Sequence, residues 1–170
     1  MLTERIAEIA EAKGLDKDEI LENIFISQTI DAADLSEKVK SAKKLCSQED
    51  IGIVIIDSIS SHYRAEFDGR NELSERQDAM GGVIKDLQEL IRTHNVAVVY
   101  TNQVYHEPGG GYGDNTIAWG GNIISHNSTF RVYLDDRGGN GWAAKLMDSP
   151  GLEQREVYFD IGEAGVTDVE

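Results

Sequence analysis

Residues 51–60 have the sequence IGIVIIDSIS. It is a run of branched apolar residues that ends in an aspartate, Asp57, with two serines in the next three positions. Because the apolar residues do not alternate with polar ones, the pattern predicts a strand that is buried on both faces, as in a parallel sheet covered by helices. Ligands of such sheets gather at the carboxyl ends of the strands, so Asp57 is a candidate magnesium ligand of an ATPase.

The rest of the chain alternates helical and strand patterns and then continues as a run of strands. Helices are predicted at 2–13, with Gly14 as the stop, from Asp16 as cap to Leu21, from Asp34 as cap to Leu45, and at 74–93. Strands are predicted at 24–30, 51–56, 96–104, 128–134, 142–147 and 156–161, with a glycine-rich loop at 106–122. This order predicts one α/β domain over residues 1–170, with a mostly parallel sheet flanked by helices and extended by C-terminal antiparallel strands.

The charge of the chain is strongly acidic, because 31 Asp and Glu residues against 16 Lys and Arg residues give a net charge of −15. Such a charge either argues against non-specific binding to nucleic acid or belongs to the acidic coat of a protein from a salt-rich cytoplasm. No apolar run has the length of a membrane span, so no membrane is expected as a partner. The single cysteine, Cys46, excludes an internal disulfide and favours a reducing, cytoplasmic location.

A phosphate loop of the form GxxxxGK[ST] would be needed for Asp57 to serve an ATPase. The sequence contains no Gly-Lys dipeptide, so that loop is not encoded in these 170 residues. An aspartate at the end of an apolar strand can equally serve as a cap or in other chemistry. Asp57 alone is therefore weak evidence for ATP binding.

Four segments in one order carry a resemblance: DSISSHYRAEFDGRNELSERQ, VAVVYTNQV, WGGNIISHNSTFRVYL and MDSPGL. Together they resemble the archaeal RadA recombinases, which belong to the RecA-like family of DNA strand-exchange ATPases. The resemblance implies a RecA-like fold of the phosphate-loop NTPase type. In that family a DNA-binding domain, the phosphate loop and a catalytic glutamate precede the position that Met1 matches. We therefore expect the second part of a recombinase core, without its phosphate-loop portion.

The resemblance implies roles toward ATP and Mg²⁺, both expected only when the phosphate-loop half is present. Asp57 matches the aspartate that positions the magnesium ion and its water. Gln103 matches the catalytic glutamine that senses the γ-phosphate, although it is also compatible with a satisfied amide at a strand end. Asp148, Ser149 and Pro150 match the cap over ATP bound by a neighbouring subunit. The chain by itself is expected not to hydrolyse ATP.

The resemblance also implies contacts to DNA. The implied residues are Arg64 and Arg70 in a first DNA-binding loop, Arg76 beside it, Gly120, Gly121 and Asn122 at the end of a second loop, and His126 between nucleotide and DNA. Each has a plainer alternative: surface ion pairs with Glu66, Asp68 or Glu72 for the arginines, an inert linker for the glycines and ordinary partial burial for the histidine. Trp119 stands where the family usually has isoleucine, and it either stacks on a base or packs in the core.

The implied function is DNA repair and homologous recombination by an ATP-dependent recombinase. Such a protein binds single-stranded and double-stranded DNA and self-associates as a filament or ring. Asp135 and Asp136 stand where relatives tend to carry basic residues, which weakens the expectation of duplex binding through that turn. Two alternatives stay open: a non-catalytic paralogue that regulates recombinase filaments, and a split-gene product that complements a separate N-terminal fragment.

Overall fold

The computed structural model describes residues 2–67, 72–106, 116–138 and 141–169. The chain divides into two compact units, which we call the central unit (Ser27–Asn127) and the terminal unit (Met1–Ile26 with Ser128–Glu170). The described helices are α1 Leu2–Ala12, α2 Lys17–Glu22, α3 Ala32–Cys46, α4 Ser61–Glu66, α5 Leu73–Thr93 and α6 Gly121–Asn127. The described strands are β1 Ile53–Ile56, β2 Ala97–Tyr100, β3 Val104–His106, β4 Thr116–Ala118, β5 Arg131–Asp136, β6 Trp142–Asp148, β7 Glu156–Gly162 and β8 Gly165–Asp168.

The core of the central unit lies between helices and one face of a parallel strand pair. Strands β1 and β2 pair in parallel, with Ile53 opposite Ala97 and Ile56 opposite Tyr100, which confirms the predicted parallel pair. Helix α5 spans the predicted region and buries one apolar face. The core residues are Ala32, Leu35, Val39, Ile56, Ile59, Tyr63, Met80, Val83, Ile84, Leu87 and Ile124.

Burial of both faces of β1 was predicted, and this prediction is wrong for the described structure. Ile56 is buried, whereas Ile53 and Ile55 are 51% and 64% exposed. Alternate strand residues point to opposite faces. The side chains on one face therefore pack against the helices, while those on the other face do not. A continuous apolar run records that a face is apolar, and it does not record whether something covers that face.

Two predictions before β1 are also corrected. Residues 24–30 form no strand, because no other strand pairs with them within the described residues. Helix α3 begins at Ala32, so its cap is Asp31 and not Asp34. The Asp31 carboxylate accepts a hydrogen bond from the Asp34 amide at 2.7 Å, and the Asp34 carboxylate accepts one from the Ile30 amide at 3.1 Å. Both acids thus serve the helix start, one turn earlier than predicted.

The predicted long loop at 106–122 is more regular than expected at both ends. Strands β3 and β4 pair antiparallel, with Val104 opposite Ala118 and Tyr105 opposite Ile117. Helix α6 begins at Gly121, which the strand pattern did not predict. Residues 107–115 lie outside the described residues. The loop prediction for residues 107–115 therefore stays a prediction.

The terminal unit is an antiparallel sheet in the order β5-β6-β7-β8 with helices α1 and α2. The three predicted C-terminal strands are confirmed, and β8 was missed. A side chain at Gly165 in β8 would lie 3.4 Å from Ile9, which places α1 against the sheet. Arg137 pairs with Asp135 at 2.9 Å and with Glu156, so part of the acidic turn is neutralised locally. Among the described residues, no helix combines the length and apolar character needed to cross a membrane.

Candidate functional site

The carboxyl ends of β1 and β2 bring a carboxylate and a hydroxyl together. Asp57 follows β1 and Thr101 follows β2, and Thr101 Oγ1 donates a hydrogen bond to Asp57 Oδ1 at 2.5 Å. Backbone hydrogen bonds tie the same two strand ends, from the Thr101 amide to the Ile56 carbonyl at 3.0 Å and from the Ile59 amide to the Thr101 carbonyl at 3.1 Å. The Asp57–Ser58 peptide bond is cis. The hydrogen bond from Thr101 Oγ1 holds the Asp57 carboxylate in one direction.

The donor set at this edge fits a magnesium ion only in part. Mg²⁺ is usually bound by one or two carboxylates together with phosphates and waters. Asp57 supplies one such carboxylate. No cluster of three His, Cys, Asp or Glu side chains occurs in the part of the chain that the structure describes. Asp57 thus fits as one ligand of an ion held mainly by a nucleotide, and it does not make a metal site alone.

The predicted sensor and a predicted DNA contact touch each other. Arg64, in α4, donates a hydrogen bond from a terminal guanidinium nitrogen to Gln103 Oε1 at 2.8 Å. The Gln103 amide lies 3.4 Å from the hydroxyl of Ser60, a residue with no exposed surface. Glu66 accepts a hydrogen bond from the Ala32 amide at 2.7 Å. The Arg64 guanidinium is therefore engaged by Gln103, and the neighbouring Glu66 carboxylate serves the start of α3.

An open cavity of about 440 Å³ lies beside this contact, and we call it the arginine–tryptophan cavity. It is lined by Arg64, Leu73, Arg76, Gln77, Tyr105, Trp119, Gly120 and Gly121. The lining combines two guanidinium groups with two aromatic rings. Of the predicted DNA-binding residues, Arg64, Arg76, Gly120 and Gly121 are brought together here.

Trp119 joins this cavity to the strand ends. The Arg76 guanidinium lies 4.7 Å from the centre of the Trp119 ring, a cation–π arrangement. The Asn102 side-chain amide donates to the Trp119 carbonyl at 2.7 Å, and the Trp119 amide donates to the Gln103 carbonyl at 2.8 Å. Trp119 also packs beside the core. The ring thus serves partly as core and partly as a wall of the cavity.

Gly120 has a packing role that sequence analysis did not predict. Its φ of +87° is in the left-handed region, and a Cβ atom there would lie 2.7 Å from Ile124 Cδ1 and 3.0 Å from Met80 Cε. Only glycine fits this position without displacing a neighbour. Asn122 and His126 are exposed on α6, and neither lines the cavity. Arg70 lies outside the described residues, so its predicted contact stays a prediction.

The predicted ATP cap lies in the terminal unit. Asp148 ends β6 and pairs with Arg131 at 2.9 Å. The Ser149 hydroxyl donates to the Leu152 carbonyl at 2.9 Å and accepts from the Leu152 amide at 3.0 Å. These bonds fix a turn in which Pro150 is exposed. Capping of a neighbour's ATP stays a prediction, because it requires a second subunit.

Helix α4 is anchored by a buried phenol. Tyr63 is 1% exposed and its ring stacks with Phe67 at a centroid distance of 6.3 Å. Burial, assisted by the Glu66 carboxylate, raises the pKa of Tyr63 to about 12. The phenol therefore stays neutral at ordinary pH and holds the helix that carries Arg64.

Sequence reasoning missed Ser60, Gln77 and Tyr105. The spacing of Leu73, Arg76 and Gln77 at i, i+3 and i+4 places them on one helix face. This spacing was a usable signal for Gln77. Tyr105 gave no comparable signal, because it lies between the predicted strand at 96–104 and the predicted loop at 106–122.

Comparisons with known proteins show which family the chain resembles. The family model described as Rad51 matches residues 1–169. The DNA repair and recombination protein RadA of Aeropyrum pernix is 39% identical to this chain over 167 residues. That alignment covers 98% of this chain and 52% of the relative. The chain thus spans about half the length of the curated relative that it matches.

Proposed function

The chain belongs to the Rad51 family of DNA repair and recombination proteins, and from that premise we propose that it is the single-strand-binding and nucleotide-sensing part of a recombinase ATPase core. Arg64 and Arg76 contact DNA phosphates. Asp57 contributes one ligand to Mg²⁺, and Gln103 senses the nucleotide. In this proposal the core acts in the cytoplasm as a filament on DNA.

The hydrogen bond from Arg64 to Gln103 is the observation that carries the proposal. Thr101, which holds the Asp57 carboxylate, is two residues before Gln103 in the same strand end. Residues 101–103 therefore link the hydrogen-bond partner of the candidate magnesium ligand to the partner of a candidate DNA contact. A change in the position of Gln103 would release or hold the Arg64 guanidinium, which is a direct physical route between nucleotide and DNA.

The charges near the cavity suit a phosphate ligand in spite of the acidic chain. Arginine forms bidentate hydrogen bonds with phosphate, and such bonds to the backbone carry no sequence information. In the structure, Arg64 bonds to a neutral amide. Within the described ranges no ion pair holds Arg64, so a DNA phosphate can replace that amide there without breaking one.

Binding of a fluorescent oligothymidylate tests this proposal. The anisotropy of the labelled strand is measured against the concentration of the chain over a series of KCl concentrations. Each phosphate contact contributes a slope of about −0.7 in log K against log salt for single strands. Arg64→Ala and Arg76→Ala are therefore each expected to weaken binding and to reduce the slope by about 0.7.

Arg92→Ala is the matched control, because Arg92 is an exposed arginine at the end of α5 and does not line the cavity. It is expected to keep the wild-type slope. Absence of binding by the wild-type chain would contradict the proposal. An equal loss in Arg92→Ala would also contradict it, since binding would then follow net charge and not this site.

The nucleotide part of the proposal is tested separately. When bound with a nucleotide, Mg²⁺ neutralises charge on the phosphates. Because the sequence holds no Gly-Lys phosphate loop, the chain by itself is expected to show no saturable binding of a fluorescent ATP analogue with magnesium. Saturable binding that Asp57→Ala abolishes would contradict this and assign a complete nucleotide site to the chain.

One observation favours a second candidate, a complementing subunit. Ile53, Ile55 and Val99 are exposed on one face of the β1–β2 pair. Contiguous exposed apolar residues on a strand face are typical of a surface that another chain covers. Co-purification with an N-terminal recombinase fragment would support this role, and a stable soluble monomer would count against it.

A further inference from the structure

We infer that the Arg76–Trp119 pair is a stacking platform for one unpaired nucleobase, so that the arginine–tryptophan cavity takes a whole nucleotide and not a phosphate alone. The inference rests on the proposed function, because it takes single-stranded DNA as the ligand. It adds a specificity element to that site, which is the recognition of an unstacked base.

The geometry of the pair is that of a stacking surface. The Arg76 guanidinium lies 4.7 Å from the centre of the Trp119 ring, and both residues line the open cavity. Nucleobases of single strands stack on aromatic rings and on guanidinium planes. Tyr105, 45% exposed, adds a second aromatic side chain to the same lining. A tryptophan that served the core alone would not border this cavity.

The backbone of Trp119 is held in place before any ligand binds. Hydrogen bonds from the Asn102 side chain and to the Gln103 carbonyl fix both sides of the Trp119 backbone. The backbone then turns at Gly120, where the φ of +87° and the close approach of Ile124 and Met80 require glycine. A fixed platform loses little conformational freedom when a base stacks on it.

Arg76 also carries an unused donor. Its Nε atom is buried and has no hydrogen-bond partner among the described residues. A buried donor without an acceptor costs free energy, and an acceptor supplied by a ligand recovers it. Nucleobases carry carbonyl and ring-nitrogen acceptors at their edges, and phosphates carry oxygens. The volume of about 440 Å³ is within the range of small-molecule sites and leaves room for both.

Tryptophan fluorescence gives a direct test, because the chain has only two tryptophans. The second, Trp142, is in the terminal unit and stacks on Phe159, so Trp142→Phe preserves an aromatic ring there. In this variant Trp119 is the single emitter. The variant is titrated with an oligothymidylate and with an abasic strand of the same length, which has the same phosphates and no bases.

The expected result is quenching of Trp119 by the base-bearing strand, with the dissociation constant that anisotropy gives for that strand. The abasic strand is expected to bind at least about fivefold more weakly, since one stacked base contributes about 1–3 kcal/mol. It is also expected to leave the emission unchanged. Equal affinities for both strands without quenching would overturn the inference and leave the proposed function standing. Binding of neither strand would overturn both.

Substitutions in the pair separate stacking from charge and from packing. Arg76→Lys keeps the positive charge and removes the guanidinium plane. Trp119→Leu keeps an apolar side chain and removes the ring. Both are expected to bind the two strands with similar affinity, whereas Arg92→Ala, at the end of α5 and outside the cavity lining, keeps the preference for bases. A thermal melt of each variant checks its fold, and the quenching of Trp119 in Trp142→Phe decides the question if Trp119→Leu fails to fold.

Discussion

Replacing Gly120 by alanine tests the packing that shapes the wall of the cavity. An added Cβ atom would lie 2.7 Å from Ile124 Cδ1 and 3.0 Å from Met80 Cε. Met80 and Ile124 are 2% and 4% exposed, so neither side chain can move out into solvent. The backbone φ of +87° adds strain of its own, because residues with a Cβ atom rarely adopt such a φ.

The magnitude follows from these two effects. A residue with a Cβ atom in the left-handed region costs about 1–2 kcal/mol, and overpacking of a core costs about 1–3 kcal/mol. The contacted atoms are the far ends of flexible side chains and can yield by a few tenths of an ångström. We therefore expect Gly120→Ala to lower the free energy of unfolding by about 2–4 kcal/mol.

Two other glycines provide matched controls. Gly121 has a φ of +58°, and no described atom lies within 4 Å of its added Cβ, so Gly121→Ala is expected to cost only the backbone strain of about 1–2 kcal/mol. Gly81 lies within α5 with open space around it, so Gly81→Ala is expected to stabilise the chain by about 0.5–1 kcal/mol.

Urea unfolding in the Trp142→Phe background measures all three, because Trp119 then reports on the central unit alone. The predicted order of stability is Gly81→Ala above wild type, followed by Gly121→Ala and then Gly120→Ala. Equal losses in Gly120→Ala and Gly121→Ala would refute the reasoning, since the close approach to Ile124 and Met80 would then have no energetic effect.

Three further predictions concern pH, helix capping and salt. Burial raises the pKa of Tyr63 from 10.0 to about 12, so the stability that its neutral form contributes is complete below pH 10 and is lost as pH rises through about 12. Urea unfolding across this range should show a smaller loss for Tyr63→Phe, and an identical loss would contradict it. Asp31→Ala should lower the free energy of unfolding by about 1 kcal/mol while Asp31→Asn, which retains a cap, stays near wild type in the same assay. The net charge of −15 makes the folded chain repel itself, and salt screens this repulsion. Raising KCl from a low to a molar concentration should therefore raise the thermal midpoint, and a constant midpoint would exclude that effect.

The resemblance to archaeal RadA recombinases is confirmed by the Rad51 family match and by the identity to a RadA protein. The RecA-like α/β class is confirmed as well. These predictions succeeded because they rest on signals spread along the whole chain. The apolar run before Asp57 and the helical spacing in α5 are local signals, and the structure contains the strand and the helix that they predict.

The wrong predictions concern which elements pack against or pair with each other, and not the local sequence patterns. Residues 24–30 have the alternation of a strand, but a strand exists only beside another strand, and the described residues supply none there. The exposed face of β1 has the same cause, since Ile53 and Ile55 are apolar without a cover. Helix α6 is only seven residues long, too short for its period to stand out.

The predictions for the candidate site succeeded and failed for the same reasons. The sequence predicted that Asp57 follows an apolar strand, and the parallel register of β1 and β2 brings Asp57 beside Thr101. It did not predict that Arg64 would hold Gln103, or that Arg76 would lie over Trp119, since both contacts join distant parts of the chain. Only the packing of α4 and α5 against the strand ends creates them.

Photochemical cross-linking is the most direct test of whether single-stranded DNA binds at the arginine–tryptophan cavity. An oligothymidylate with 5-iodouracil in place of thymine is bound to the chain and irradiated, and the cross-linked peptides are identified by mass spectrometry. A base stacked at the cavity predicts adducts on Trp119 or Tyr105, reduced in Arg64→Ala. Adducts confined to the terminal unit, with none in the cavity peptides, would contradict the claim.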